Sequence, residues 1–296
     1  MKILLLGKTG QVGWESLRAL APLGEIVAPS RRATDGLVGD LSDEAGLRAT
    51  IATVAPDVIV NAAAYTAVDC AESDVDLAYR VNADGPGVLA AEAAARGILL
   101  VHYSTDYVYD GSGHRPWRES DPAHPLSVYG KSKLAGDEAI QASGCAYLIL
   151  RTSWIYAARG KNFARTVLNL AAERETLTMV ADQIGAPTGA DLIADVTAHL
   201  VRSTMRGGGH PGIYHLVAAG ETSWHNYARF VVDEARRHSL PVRVKEIVPI
   251  LSEAWAASVV RPLNSRLDTT RLQTCFDICL PDWQRGVARL VHEILQ

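Results

Sequence analysis

Cysteine is scarce in this chain: four residues, at 70, 145, 275 and 279, of which only Cys275 and Cys279 lie close together. No second pair completes a zinc-ligand spacing, so a zinc site is excluded on pattern. Reduced thiols in a cytoplasmic protein are the expectation. The nine histidines form no H-E-x-x-H or H-x3–5-H pattern, and His199, His215, His225 and His292 read as packing or surface residues. Long apolar runs are also missing. The opening run, residues 3–6, is only four residues and lacks a cleavage-site pattern, so it reads as a strand and neither a signal peptide nor a membrane span. There is no basic stripe, and the formal net charge is −4. Nucleic acid and membrane are therefore not expected partners.

What is present is an ordinary globular composition, 48% apolar and 21% charged, in a chain long enough for one large or two medium domains. Apolar, β-branched runs at 3–6, 25–28, 57–61, 98–104 and 146–151 predict strands. Between the third and fourth lies an Ala-rich stretch, 75–96, that reads as helix. This alternation predicts an α/β fold, a Rossmann-type doubly wound parallel sheet. After Arg151 the pattern loosens. Helices are expected at 163–174, 190–201 and 224–238, and short strands at 177–180, 213–217 and 242–248. An amphipathic helix is expected at 283–295. The expected division is a dinucleotide-binding domain at 1–155 and a smaller α/β substrate-binding region at 156–296, with later segments returning to the first.

Two patterns carry chemistry. The first is Gly7-Lys-Thr-Gly10-Gln-Val-Gly13, after the first strand and at the mouth of a helix. Glycines there let the backbone turn tightly and approach a pyrophosphate at the helix N-terminus. The spacing is G-x-x-G-x-x-G, not the dehydrogenase G-x-G-x-x-G. The second is Tyr129-Gly-Lys-Ser-Lys133. On a helix over 127–142 the phenol and the amine share a face. A phenol titrates near pH 10 unaided, and a neighbouring ammonium is expected to bring that value down towards the working range of a proton donor. The loops 7–13, 62–69 and 104–110 each follow a candidate strand, so one cleft can hold all three.

The runs 7–13, Tyr103-Ser-Thr-Asp-Tyr-Val-Tyr-Asp-Gly111 and 129–133 together resemble the extended short-chain dehydrogenase/reductase superfamily. Asn61-Ala-Ala-Ala-Tyr-Thr-Ala-Val-Asp69, Arg151-Thr-Ser-Trp-Ile-Tyr156, Asp182-Gln-Ile-Gly-Ala-Pro-Thr188 and Arg261-Pro-Leu-Asn-Ser265 narrow it. With them the chain is similar to the dTDP-4-dehydrorhamnose reductase family, in order from Met1 to about Trp283. The resemblance implies reduction of the C4 ketone of dTDP-4-dehydro-L-rhamnose by a nicotinamide cofactor, the last step to dTDP-L-rhamnose. It implies Tyr129 as proton donor, Lys133 as its partner and ribose ligand, and Thr105 holding the ketone oxygen. By the same resemblance, Ser104 and Asp106 would support cofactor and sugar nucleotide. Gly7, Gly10, Gln11, Val12 and Gly13 would line the pyrophosphate turn. Asp40 and Leu41 would contact adenine, and Ala64, Tyr65, Thr66 and Tyr103 would run along the cofactor. Trp154 would contact the deoxysugar or thymidine, and Asp69, Arg261 and Asn264 are further substrate candidates.

The second candidate strand ends Ala28-Pro-Ser30-Arg31-Arg32, where an NAD enzyme often carries an acid for the ribose 2′-hydroxyl. Ser30, Arg31 and Arg32 instead suit a 2′-phosphate, which predicts NADPH over NADH. Some relatives dimerise through Mg²⁺, and Glu15, Asp191 and Glu293 match the three acidic ligands, with Asp in place of Glu at 191. A Mg²⁺-bridged homodimer is the corresponding expectation. The catalytic trio alone does not separate this activity from another nucleotide-sugar reductase or epimerase; residues 61–69, 151–156 and 261–265 do. A non-catalytic nucleotide-binding subunit shares the fold, but the intact trio of Thr105, Tyr129 and Lys133 favours an enzyme.

Overall fold

The computed structural model describes residues 1–32, 35–208, 210–238, 240–255 and 259–294. Five strands appear where the apolar runs predict them: β1 (Lys2–Leu6), β2 (Glu25–Val27), β3 (Val58–Asn61), β4 (Leu99–Thr105) and β5 (Tyr147–Thr152). A sixth, Gly212–His215, joins the edge, giving the order Gly212–His215, β5, β4, β3, β1, β2. Every pairing is parallel. Strand order reverses at β1, so the crevice beyond its carboxyl end, between β1 and β3, is the switch point where such sheets take ligands.

Both faces of the sheet are covered, which is why β1 and β3 read as continuous apolar runs. Ile3, Leu5, Val58, Val60, Val101 and Leu150 face a layer that includes Val12, Leu20, Ile193 and Leu200. Those last residues belong to helix α1 (Gln11–Leu20) and the helix Ala190–Met205. Leu4, Leu6, Ile59, Leu100 and Ile149 face the opposite layer, with Leu47, Ile51, Leu89 and Ile140. This layer comprises helix α2 (Glu44–Val54) and the helices Gly85–Arg96 and Val128–Ala142. A separate core packs Val167, Leu177, Tyr227, Val231, Trp283, Val287 and Val291, from the helices Phe163–Glu173, Trp224–Arg237 and Trp283–Ile294 and the strand Thr176–Val180. Residue 295, the expected end of the last helix, lies outside the described residues.

One local reading is refined and another corrected. The stretch 75–96 is helical throughout, but in three segments. It runs as Val75–Tyr79, a π-helical segment Arg80–Asp84 and then Gly85–Arg96. Pro86, in the first turn of the last segment, has no N–H to continue the preceding ladder. The strand expected at 242–248 begins at Glu246, because the amides of Arg243 and Val244 donate to the carbonyl of Ala171 instead. Among the described residues all four cysteines are free thiols, and no helix is long and apolar enough to cross a membrane.

Candidate active site

The glycine turn is shaped by close approach. Gly7 has φ +84°, and a Cβ there would lie 2.5 Å from the Ala62 carbonyl carbon. A Cβ on Gly13 would lie 2.1 Å from the Gly7 oxygen, so α1 packs tightly on the turn. Gly10 is different: a Cβ would meet only the Gly7 oxygen, at 3.4 Å. Gly10 caps α1 with no side-chain hydrogen bond, and the first turn carries no acid. The N-terminal amides and the positive end of the helix dipole are thus left for an anion. Gln11 Oε1 is buried with no hydrogen-bond partner. The glycine turn and the N-terminal amides of α1 fit a dinucleotide pyrophosphate; Gln11 Oε1, an acceptor, does not contribute to an anion site.

The loop after β3 is tied down from a residue that the sequence pattern does not single out. Asn82, in the π-helical segment, accepts from the Tyr65 amide (2.9 Å) and donates to the Tyr65 carbonyl (3.0 Å) and to Ser132 Oγ (3.1 Å). It therefore fixes the 62–65 loop against the Val128–Ala142 helix. The Tyr65 hydroxyl donates to Asp74 (2.8 Å), and Thr66 is exposed.

Ser127 starts that helix by accepting from the Gly130 amide (3.1 Å), a side-chain N-cap. Tyr129 follows in the first turn, its ring edge-on to Tyr107 with centroids 5.6 Å apart. Burial pushes its phenol up to about 12, against the pull of the neighbouring Thr105 hydroxyl. Lys133 is 1% exposed. Its Nζ donates to the Tyr103 carbonyl (2.7 Å) and lies 3.0 Å from His102 Nε2. Burial brings this amine down to about 8. Lys133 is not among the groups that shift Tyr129: β4 holds the amine, and desolvation dominates the phenol.

Thr105, at the end of β4, donates to Asp106 Oδ1 (3.1 Å) and accepts from the Tyr107 amide (3.1 Å). Asp106 is 3% exposed, and burial raises its carboxyl to about 6. Its Oδ2 has no hydrogen-bond partner, an unmet acceptor near Tyr129.

Over residues 1–296 the sequence matches the family described as the RmlD substrate binding domain. It is 49% identical over 294 residues to the dTDP-4-dehydrorhamnose reductase of Escherichia coli, covering 99% of this chain and 98% of that one. The chain belongs to the dTDP-4-dehydrorhamnose reductase family. A crystal structure of such a reductase from Bacillus anthracis, in complex with NADP, superposes with a TM-score of 0.89 at 30% identity, covering 99% of each chain. One from Clostridium acetobutylicum gives 0.91 at 32% identity, covering 100% of each.

Against this family background, several expected site residues take structural duties. Tyr103 sends its hydroxyl to Thr197 Oγ1 (2.9 Å) inside the core, so only its backbone faces Lys133. Asn264 is 2% exposed. Its amide donates to the carbonyls of Ser112 (3.1 Å) and Arg115 (2.8 Å), stapling the 111–117 loop to the C-terminal segment. Arg261 pairs with Asp69 (2.9 Å), linking the loop after β3 to that same segment. Trp154 has φ +47°, a strained conformation for a bulky side chain, and stacks on Trp224 with centroids 3.6 Å apart. A Cβ on Gly185 would sit 2.8 Å from the Trp154 ring.

At the adenine end, Asp40 accepts from the Ser42 amide (2.9 Å) and hydroxyl (2.8 Å), and Leu41 is buried. Ala64 and Ser30 are half-buried, and Arg31 and Arg32 are exposed. The three proposed magnesium ligands are not assembled for a cation. Arg289 pairs with Asp191 (3.3 Å) and Glu293 (2.8 Å), and Glu15 pairs with Arg18 (3.4 Å). Among the described residues no group of three or more His, Cys, Asp or Glu is placed to hold a metal.

Proposed function

We propose that this protein reduces the C4 ketone of dTDP-4-dehydro-L-rhamnose to dTDP-L-rhamnose, with Tyr129 as the proton donor. The observation that carries this reading is the Thr105–Tyr129–Lys133 constellation at the carboxyl end of β4, within a chain 49% identical to a dTDP-4-dehydrorhamnose reductase. A dihydronicotinamide, when bound, would supply the hydride to C4. The Thr105 hydroxyl holds the ketone oxygen, and Tyr129 delivers its proton there as negative charge grows. Asp106, with one oxygen unsatisfied, accepts from a sugar hydroxyl. Lys133 would hold the nicotinamide ribose, and its ammonium there would favour the charged form of Tyr129. Trp154 offers a fixed aromatic surface to the deoxysugar or thymidine. Arg261, whose Nε has no partner, keeps a donor for the diphosphate.

NADPH is the preferred cofactor. No carboxylate occurs at residues 28–32, directly after β2, and the exposed Arg31 and Arg32 lie where a 2′-phosphate would be read. The test is a side-by-side assay of NADPH and NADH consumption with the dTDP-keto sugar, repeated on the Arg31→Ala/Arg32→Ala variant. Keto-sugar-dependent turnover favouring NADPH is expected, and the variant should raise KM for NADPH about tenfold or more while barely moving KM for NADH, in line with the worth of a charge-assisted contact. Equal changes for both cofactors contradict the assignment of the arginines. No turnover with either cofactor contradicts the activity.

A further inference from the structure

His102 is 0% exposed on β4, between β3 and the Val128–Ala142 helix. Its Nδ1 lies 3.0 Å from Asn61 Nδ2. The orientation of the Asn61 amide is not arbitrary, because Asn61 Oδ1 accepts from the Ala63 amide at 3.2 Å. Asn61 Nδ2 therefore faces the ring and donates, so His102 Nδ1 must accept. A neutral imidazole that accepts at Nδ1 carries its proton on Nε2. That N–H faces Lys133 Nζ at 3.0 Å.

An N–H directed at an ammonium is repulsive, whereas the same N–H directed at a neutral amine finds its lone pair. Turning the ring's proton to Nδ1 would need the Asn61 amide to flip, which would set its NH₂ against the Ala63 N–H. The charge on Lys133 and the tautomer of His102 are thus coupled through Asn61. The other groups facing Lys133 are the Tyr103 carbonyl from β4 and Asp137 from its own helix. Asp137 is itself engaged by Ser104 (2.9 Å) and Arg151 (3.1 Å). Asp137 raises the proton affinity of Lys133, and burial, the larger effect, lowers it. Burial and Lys133 together keep His102 neutral.

We propose that His102 is a positioning residue of the reductase: held by Asn61 in its Nε2–H tautomer, it destabilises the ammonium of Lys133 and so sets the alkaline limit of cofactor capture. This rests on the reading of Lys133 as a ribose ligand that works in its charged form. The coupling needs no oxidant or further reactant. As pH rises, the Nζ–H bond breaks, the proton leaves to solvent, and the freed lone pair accepts from His102 Nε2–H.

The first test uses the wild-type protein with ¹⁵N-labelled histidine, followed by NMR from neutral to alkaline pH. His102 should stay neutral with its proton on Nε2 throughout, and Nε2 should report the Lys133 titration as a second, remote step. A proton on Nδ1, or an imidazolium at neutral pH, overturns the proposal. The second test is His102→Gln. Its side-chain carbonyl can turn to the ammonium, so the alkaline limb of kcat/KM for NADPH, which reports ionisations of the cofactor-free protein, should move up by about one pH unit. An unmoved limb in a folded variant overturns it. If the variant does not fold, the wild-type titration decides alone. The tautomer is read without turnover, so this inference and the catalytic reading fail separately.

Discussion

Tyr129→Phe lowers kcat by about 10²- to 10⁴-fold, the usual worth of a positioned general acid, and leaves fold and cofactor uptake intact. The substitution removes one oxygen and keeps the ring, so the edge-on contact with Tyr107 at 5.6 Å persists. Lys133 does not depend on the phenol for its position, since its Nζ donates to the Tyr103 carbonyl. The variant should therefore bind NADPH within a fewfold of wild type, as followed by nicotinamide fluorescence, while stopped-flow oxidation of bound NADPH slows by the stated factor. Retention of the wild-type rate would assign the proton to another donor, and Asp106, raised to about 6 by burial, would be the next candidate.

Arg151→Leu costs about 3–5 kcal/mol of stability, the range for removing one partner of a buried ion pair. Arg151 and Asp137 are 4% and 0% exposed at their side chains, with Nε to Oδ2 at 3.1 Å. The guanidinium also donates to the Tyr109 hydroxyl at 2.9 Å, which in turn lies 2.8 Å from His215 Nε2. Without Arg151, Asp137 keeps only Ser104 as a hydrogen-bond donor, and its Oδ1 already has none. Equilibrium urea unfolding measures the loss. An unpaired buried carboxylate has a higher pKa folded than unfolded, so the deficit should shrink as pH falls and the folded state takes up the proton. The double variant Arg151→Leu/Asp137→Leu should lose less than the single one, because no charge is stranded. A double variant as unstable as the sum of two single losses would show that shape, not charge, holds this layer.

The sheet was readable because β1, β3 and β4 are buried on both faces and leave uninterrupted apolar runs. The edge strand Gly212–His215 was readable too, although its place beside β5 was not, since pairing across such a separation leaves no local pattern. The four-residue spacing of Tyr129 and Lys133, both on the Val128–Ala142 helix, was legible in the sequence. The state of that pair was not: a helix turn puts Tyr129 and Lys133 on one face, but where the Lys133 amine points depends on His102 and Tyr103, thirty residues upstream. The roles of Asn82, Asn61 and His102 leave no local pattern for the same reason. Each is a single polar residue inside an apolar or helical stretch, and its role exists only once β3, β4 and the Val128–Ala142 helix are packed. Asn264 shows the reverse. Its motif marked it as a substrate candidate, whereas the fold uses its amide to close the 111–117 loop. The three acidic residues at 15, 191 and 293 followed a family pattern, and their arginine partners were invisible to it.

The central claim is hydride delivery to C4 of a dTDP-linked keto sugar, and isotopic tracing tests it most directly. The protein is incubated with NADPH deuterated at the transferable C4 position and dTDP-4-dehydro-L-rhamnose, and the product is read by proton NMR. Deuterium at C4 of the sugar, one per dTDP-L-rhamnose formed, with oxidised cofactor in equal amount, is the predicted result. A product carrying no deuterium at C4, or keto sugar left untouched while NADPH stays bound, would contradict the account.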